Sequence, residues 1–142
     1  MSVNRRKYPR VRIHVPVTYT LLEDQGNTES EAIGIALDVS LGGLLLESFD
    51  FVAAEYVGVS FIDTENKMIH IWCKMVYSKK TNLGTDQGLV HTGLSFQGTE
   101  LEKADFAAKI IRAYFYRRKR LADQSAVPAG RLELAGRPLD LV

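Results

Sequence analysis

A small all-β barrel followed by one C-terminal helix is the architecture this sequence predicts, on three observations. Short runs of β-branched and aromatic residues are separated by polar, glycine-containing breaks. No helical pattern intervenes between them. From Thr99 onward the apolar spacing changes from two to between three and four. The chain has 142 residues, room for one hydrophobic core and little more.

The first strand runs from Val11 to Leu22: Val11, Ile13, Val15, Val17 and Tyr19 share one face, and Arg12, His14, Pro16 and Thr18 the other. Pro16 marks an edge or a bend. After the polar loop EDQGNTESE, Ile33, Ile35, Leu37 and Val39 alternate with Ala32, Gly34, Ala36 and Asp38. This alternation predicts buried isoleucines, with Asp38 on an outer face otherwise made of small residues. The turn SLGG leads into a short apolar strand from Leu44 to Glu47, and a further strand spans Tyr56 to Ile62. A long one follows from Lys67 to Ser78, with Ile69, Ile71, Cys73, Met75 and Tyr77 as its apolar face. KKTNLGTDQG is a loop, and Gly88 to Phe96 is the last strand. Six strands with no helices between them indicate an antiparallel barrel or closed sandwich rather than a parallel α/β fold.

Thr99 and Glu102 satisfy the capping box of a helix N-terminus. Leu101, Ala104, Ala108, Ile111 and Phe115 then recur at helical spacing, beside Phe106, Ile110 and Tyr114, predicting an amphipathic helix of about 20 residues. Arg117, Arg118, Lys119 and Arg120 are expected in its last turn, suited to the negative end of the helix dipole or to an acidic partner or membrane surface. The division expected is a flexible arm over 1–10, a barrel over 11–98, a helix over 99–121 and a loosely held tail over 122–142.

Composition excludes more than it selects. The chain is 46% hydrophobic and 25% charged, with a net charge of +1, which argues for no particular partner. The distribution says more: RRKYPR and RRKR hold eight of the 18 Lys and Arg residues. The one cysteine, Cys73, forms no internal disulfide, and a reducing, cytoplasmic setting is expected. His14, His70 and His91 lie far apart with no metal-ligand or catalytic spacing. No apolar stretch reaches the roughly 20 residues of a membrane span, and no signal peptide is expected.

Two stretches carry chemistry. In NRRKYPRV, Pro9 fixes its own backbone and biases Tyr8 toward an extended conformation, so the guanidinium groups of Arg5, Arg6 and Arg10 can form a definite array. In DVSLGG, Asp38 stands beside a turn that offers the Ser40 hydroxyl and the amides of Gly42 and Gly43. Arginine gives a bidentate fork to phosphate oxygens and to the N7 and O6 acceptors of guanine. A carboxylate accepts from the N1 hydrogen and 2-amino group on guanine's opposite edge, an edge that adenine does not present. The ligand deduced is a guanine nucleotide with accessible phosphates.

Together the two stretches resemble the PilZ domain family, bacterial receptors for cyclic diguanylate (c-di-GMP). The family pattern RRxxxR is matched by Arg5, Arg6 and Arg10, the pattern (D/N)xSxxG by Asp38, Ser40 and Gly43, and the GxxF of the last barrel strand by Gly93 and Phe96. The resemblance covers about residues 4 to 120 and implies a six-stranded antiparallel PilZ-type barrel with a C-terminal helix. It implies that the arginines grip phosphates and guanine Hoogsteen edges, that Asp38 reads the opposite edge, that Ser40 bonds a phosphate and that Gly43 keeps the turn open. Arg5 stands where an arginine favours a self-intercalated ligand dimer in the family, implying two ligands per chain. Tyr77 is a weaker ligand candidate, by stacking on a base, with core packing as its other reading. The expected mechanism couples ligand capture to ordering of the arm, which then presents a surface to an unidentified downstream protein. No enzyme activity, cofactor or metal is expected. Two alternatives stand: a PilZ-like interaction module that binds no ligand, and a nucleic-acid-binding barrel, disfavoured by the low net charge. The helix packs either on its own barrel or against a second chain, which leaves a homodimer open.

Overall fold

The structure, a computed structural model, describes residues 9–22, 29–81 and 88–125. Arg5, Arg6 and most of the predicted arm and tail lie outside the described residues. Six strands are present among them: β1 (Val11–Leu22), β2 (Glu29–Val39), β3 (Gly43–Ser48), β4 (Tyr56–Ile62), β5 (Met68–Lys80) and β6 (Val90–Phe96). They close into an antiparallel barrel in the order β1-β2-β3-β6-β5-β4, and one helix, α1 (Glu100–Ser125), follows.

β1 behaves as its alternation predicts, with Ile13, Val15, Val17 and Tyr19 all buried. Pro16 is exposed, and β4 pairs with β1 only from Thr18 onward, so its missing N–H interrupts no bond on that side. β6 also alternates cleanly: Val90, Thr92, Leu94 and Phe96 point in, while His91, Gly93 and Ser95 point out. The hydroxyl of the buried Thr92 is satisfied by Ser78 at 2.8 Å.

β2 departs from the expected phase. Gly34 and Ala36 face the interior, beside Tyr19 and Leu46, while Ile33 is 72% exposed. The cause is a register shift at Leu37: β3 pairs Leu46 with Ala36 but Leu45 with Asp38, leaving one extra residue in β2. The shift restores Val39 to the core and leaves Asp38 facing outward. Asp38 therefore lies on the predicted face, but the isoleucines do not.

A second shift, between Met75 and Tyr77, corrects the reading of β5. Ile71 and Cys73 are buried as predicted, but the irregularity at Val76 turns Tyr77 to the outer surface, opposite Gly93, and Ser78 toward the interior. Tyr77 is 40% exposed and forms no part of the apolar face. Cys73 is fully buried, and desolvation pushes its thiol pKa up to about 12. The thiolate fraction at pH 8 is then on the order of one in ten thousand. Ellman's reagent is expected to leave the folded chain unmodified and to react stoichiometrically only after denaturant is added.

The capping box forms as read. Glu102 N–H donates to the Thr99 hydroxyl at 3.1 Å, and Thr99 N–H donates to the Glu102 carboxylate at 2.8 Å. Thr99→Ala is expected to destabilise the fold by about 1 kcal/mol, visible as a melting point lower by a few degrees. The buried face of α1 differs from the expected stripe. Phe106, Ala107, Ile110 and Ala113 are buried, whereas Leu101, Ala108 and Phe115 face solvent. Phe106 sets the rotation, meeting the rings of Phe61 and Phe96 edge-on at centroid distances of 5.3 and 5.2 Å. Helix and barrel thus share one core. The helix also runs to Ser125, so Arg117–Arg120 lie before its last turn, which contains no basic residue.

Candidate ligand-binding site

The β2–β3 connection is a tight turn. Ser40 N–H donates to the Gly43 carbonyl at 2.9 Å, and Gly42 N–H donates to the Ser40 hydroxyl oxygen at 3.1 Å. That hydroxyl holds the turn as an acceptor while its own proton remains able to donate to an anion. Phe96 N–H donates to the Gly42 carbonyl at 2.8 Å, binding the turn to the end of β6.

Gly43 owes its role to close approach rather than to backbone conformation. Among the described residues, Gly98 alone of the glycines has a positive φ, so Gly43 does not serve the turn through a left-handed conformation. A Cβ at Gly43 would stand 2.0 Å from the Leu94 carbonyl oxygen. Only a residue without a side chain lets β3 and β6 pair here.

Beside this turn lies an open depression of about 280 Å³. Arg10, Asp38, Ser40 and Gly43 line one part, and Tyr77 and Gly93 another. Arg10 Nη1 stands 3.6 Å from Asp38 Oδ2, with the two side chains 37% and 18% exposed. This is a loose ion pair rather than a hydrogen bond, and solvent reaches the guanidinium. The Tyr77 ring lies across Gly93, whose added Cβ would be 2.5 Å from Cε2. Lys79 Nζ is 5.9 Å from the centroid of the same ring, adding positive charge nearby.

The structure therefore gathers Arg10, Asp38, Ser40, Gly43 and Tyr77 around one surface, and Arg5 and Arg6 lie outside the described residues. Sequence reading missed Val76 and Ser95, which complete the wall. The outward phase of His91, Gly93 and Ser95 could have identified Ser95, given that β6 neighbours β3. Nothing local announces Val76. His91 accounts for itself structurally, with Nε2 3.0 Å from Glu47 across the β3–β6 pair. Among the described residues no group of His, Cys, Asp or Glu is placed to hold a metal ion, and no helix is long and apolar enough to cross a membrane.

The PilZ domain family model matches residues 4–117. This chain belongs to the PilZ domain family. The solved structures it resembles have the same PilZ fold. MrkH of K. pneumonia, determined as a c-di-GMP complex, is 18% identical with a TM-score of 0.57, the match covering 82% of this chain and 55% of MrkH. The PilZ domain of YcgR from Escherichia coli, determined with c-di-GMP, is 14% identical with a TM-score of 0.52, covering 88% of this chain and 100% of that domain. The Bacillus subtilis inhibitor of motility MotI/DgrA is 14% identical with a TM-score of 0.54, covering 77% and 50%. This PilZ chain thus spans about half the length of MrkH and MotI. No curated protein matches it in sequence.

Proposed function

We propose that this chain is a receptor for c-di-GMP. The observation that carries the reading is the convergence of Arg10, Asp38, the Ser40 turn and Tyr77 on one depression, in a PilZ chain that holds both motifs in full. Asp38 accepts from N1 and the 2-amino group of a guanine, the Ser40 hydroxyl donates to a phosphate oxygen, and Tyr77 supplies a stacking face.

Size argues for a second gripping element. Pockets that bury most of a drug-sized ligand have volumes of about 300–1,000 Å³, and the depression, at about 280 Å³, lies below that range. It accommodates part of a cyclic dinucleotide and leaves the rest to be covered. Arg10 is on its rim, and Arg5 and Arg6, five and four residues before it in the sequence, close on the phosphates and Hoogsteen edges. Arg5 holds a second, intercalated ligand. Closure of residues 1–10 creates a surface absent from the empty protein, and a downstream protein reads that surface. The role is that of a receptor, without turnover.

Isothermal titration with c-di-GMP, against cyclic diadenylate and GTP, tests the reading. Heat with c-di-GMP alone, at two ligands per chain, is the expected result. A chain that binds none of the three is a PilZ-fold interaction module and overturns it.

A further inference from the structure

α1 carries two apolar stripes, and the barrel uses only one. Phe106, Ala107, Ile110 and Ala113 are buried against it. On the opposite side Leu101, Ala108 and Phe115 recur at heptad spacing with Ala104 between the first two. Leu101 is 80% exposed, Phe115 51%, and Ala108 is also exposed. A surface helix needs only the stripe that faces its own core, and among the described residues the barrel does not cover the second. Its centre is built of alanines, which permit another helix backbone to approach closely.

Charge along α1 selects the occupant and its direction. Glu100, Glu102 and Asp105 occupy the first turns, where Lys103 and Lys109 hold Glu100 and Asp105 at 3.2 and 3.1 Å. Arg112, Arg117, Arg118, Lys119 and Arg120 are all exposed in the second half, and none makes an ion pair among the described residues. The helix is therefore weakly acidic at one end and strongly basic at the other. A parallel partner helix would set the basic blocks side by side. An antiparallel copy separates them and carries each toward the partner's acidic helix start.

We propose that α1 pairs antiparallel with α1 of a second copy of this chain, about a two-fold axis passing beside Ala108. Leu101 and Phe115 are equidistant from Ala108, so in this register each Leu101 meets the partner's Phe115. Asp105, whose side chain is 56% exposed, comes opposite the partner's Arg112, and symmetry makes that contact twice. The stripe from Leu101 to Phe115 spans about 21 Å of helix axis at about 1.5 Å per residue. A seam that short buries less than roughly 1,200 Å², the range of weak interfaces, so the dimer is concentration-dependent. The proposal does not depend on any ligand.

Sedimentation equilibrium of the full chain, without nucleotide, from about 5 to 500 μM, decides the matter, the range being set by the weak affinity such areas support. The expected mass climbs from one chain toward two. Ala108→Glu, a good helix former at an exposed position, places two carboxylates together on the axis and should hold the mass at one chain throughout. Asp105→Arg and Arg112→Asp should each weaken association at least tenfold, and the two combined should restore it. A wild-type chain that stays monomeric at the highest concentration overturns the proposal, as does an Ala108→Glu variant that still dimerises or a double swap that fails to recover. A monomer that instead sediments with phosphatidylglycerol vesicles would assign the stripe to a lipid surface and overturn it too.

Discussion

Asp38→Ala is expected to weaken c-di-GMP binding by about one to two orders of magnitude, the loss of one or two charge-assisted hydrogen bonds worth roughly 1.5–3 kcal/mol. The fold should hardly notice. The carboxylate is on the outer face, and its one ion pair among the described residues, to Arg10 at 3.6 Å, belongs to a class worth about 0–1 kcal/mol. Titration calorimetry and a thermal melt on the same preparation separate the two effects. The more telling change is in selectivity. In the proposed function Asp38 reads the guanine edge that adenine lacks, so the variant should lose preference for c-di-GMP over cyclic diadenylate as well as affinity. Arg10→Ala should cost a similar amount with less effect on that preference, because an arginine fork serves phosphates as well as guanine. Unchanged affinity in both variants would move the site elsewhere.

Gly43→Ala has the largest expected effect on stability. Its Cβ would stand 2.0 Å from the Leu94 carbonyl oxygen, and backbone on a paired strand cannot rotate away. β3 and β6 must part, straining the Gly43–Ser95 pairing and the Phe96–Gly42 hydrogen bond. Overpacking of this kind costs about 1–3 kcal/mol or more, a melting point lower by about 10 °C at the upper end. Gly93→Ala provides the contrast. The atoms nearest its Cβ would all belong to the Tyr77 ring, an exposed side chain that can swing outward. That variant should keep most of its stability while losing the stacking surface, so its deficit appears in titration more than in the melt. A Gly43→Ala chain that melts with the wild type would show that β3 and β6 are held less closely than the geometry states.

The local features were legible in the sequence, and the non-local ones were not. The Thr99–Glu102 capping box involves neighbouring residues, and it forms as read. The alternation of β1 and β6 places their side chains correctly because neither face is reversed within the strand. In β2 and β5 a single extra residue slips the phase, at Leu37 and Val76, and a bulge exists only relative to a partner strand. Alternation therefore put Ile33 and Tyr77 on the wrong faces, and Asp38 reached the outer face only because the slip comes just before it. The β3–β6 pairing that brings Gly93 and Ser95 to the DVSLGG turn joins segments about 50 residues apart, beyond any local pattern. On α1, two stripes share the same helical period, and only the pocket between Phe61 and Phe96 decides which one turns inward.

Phe96 belongs to both halves of the molecule. Its amide holds the Gly42 carbonyl in the turn beside the depression, and its ring abuts Phe106, the anchor of the helix. The barrel rim and the helix are thus joined through one rigid side chain, like a crank between two shafts. A displacement of the turn would reach the seat of the helix through that single residue. A fluorophore on the outward side of α1, far from any nucleotide, would then register occupancy of the turn as a change in helix tilt.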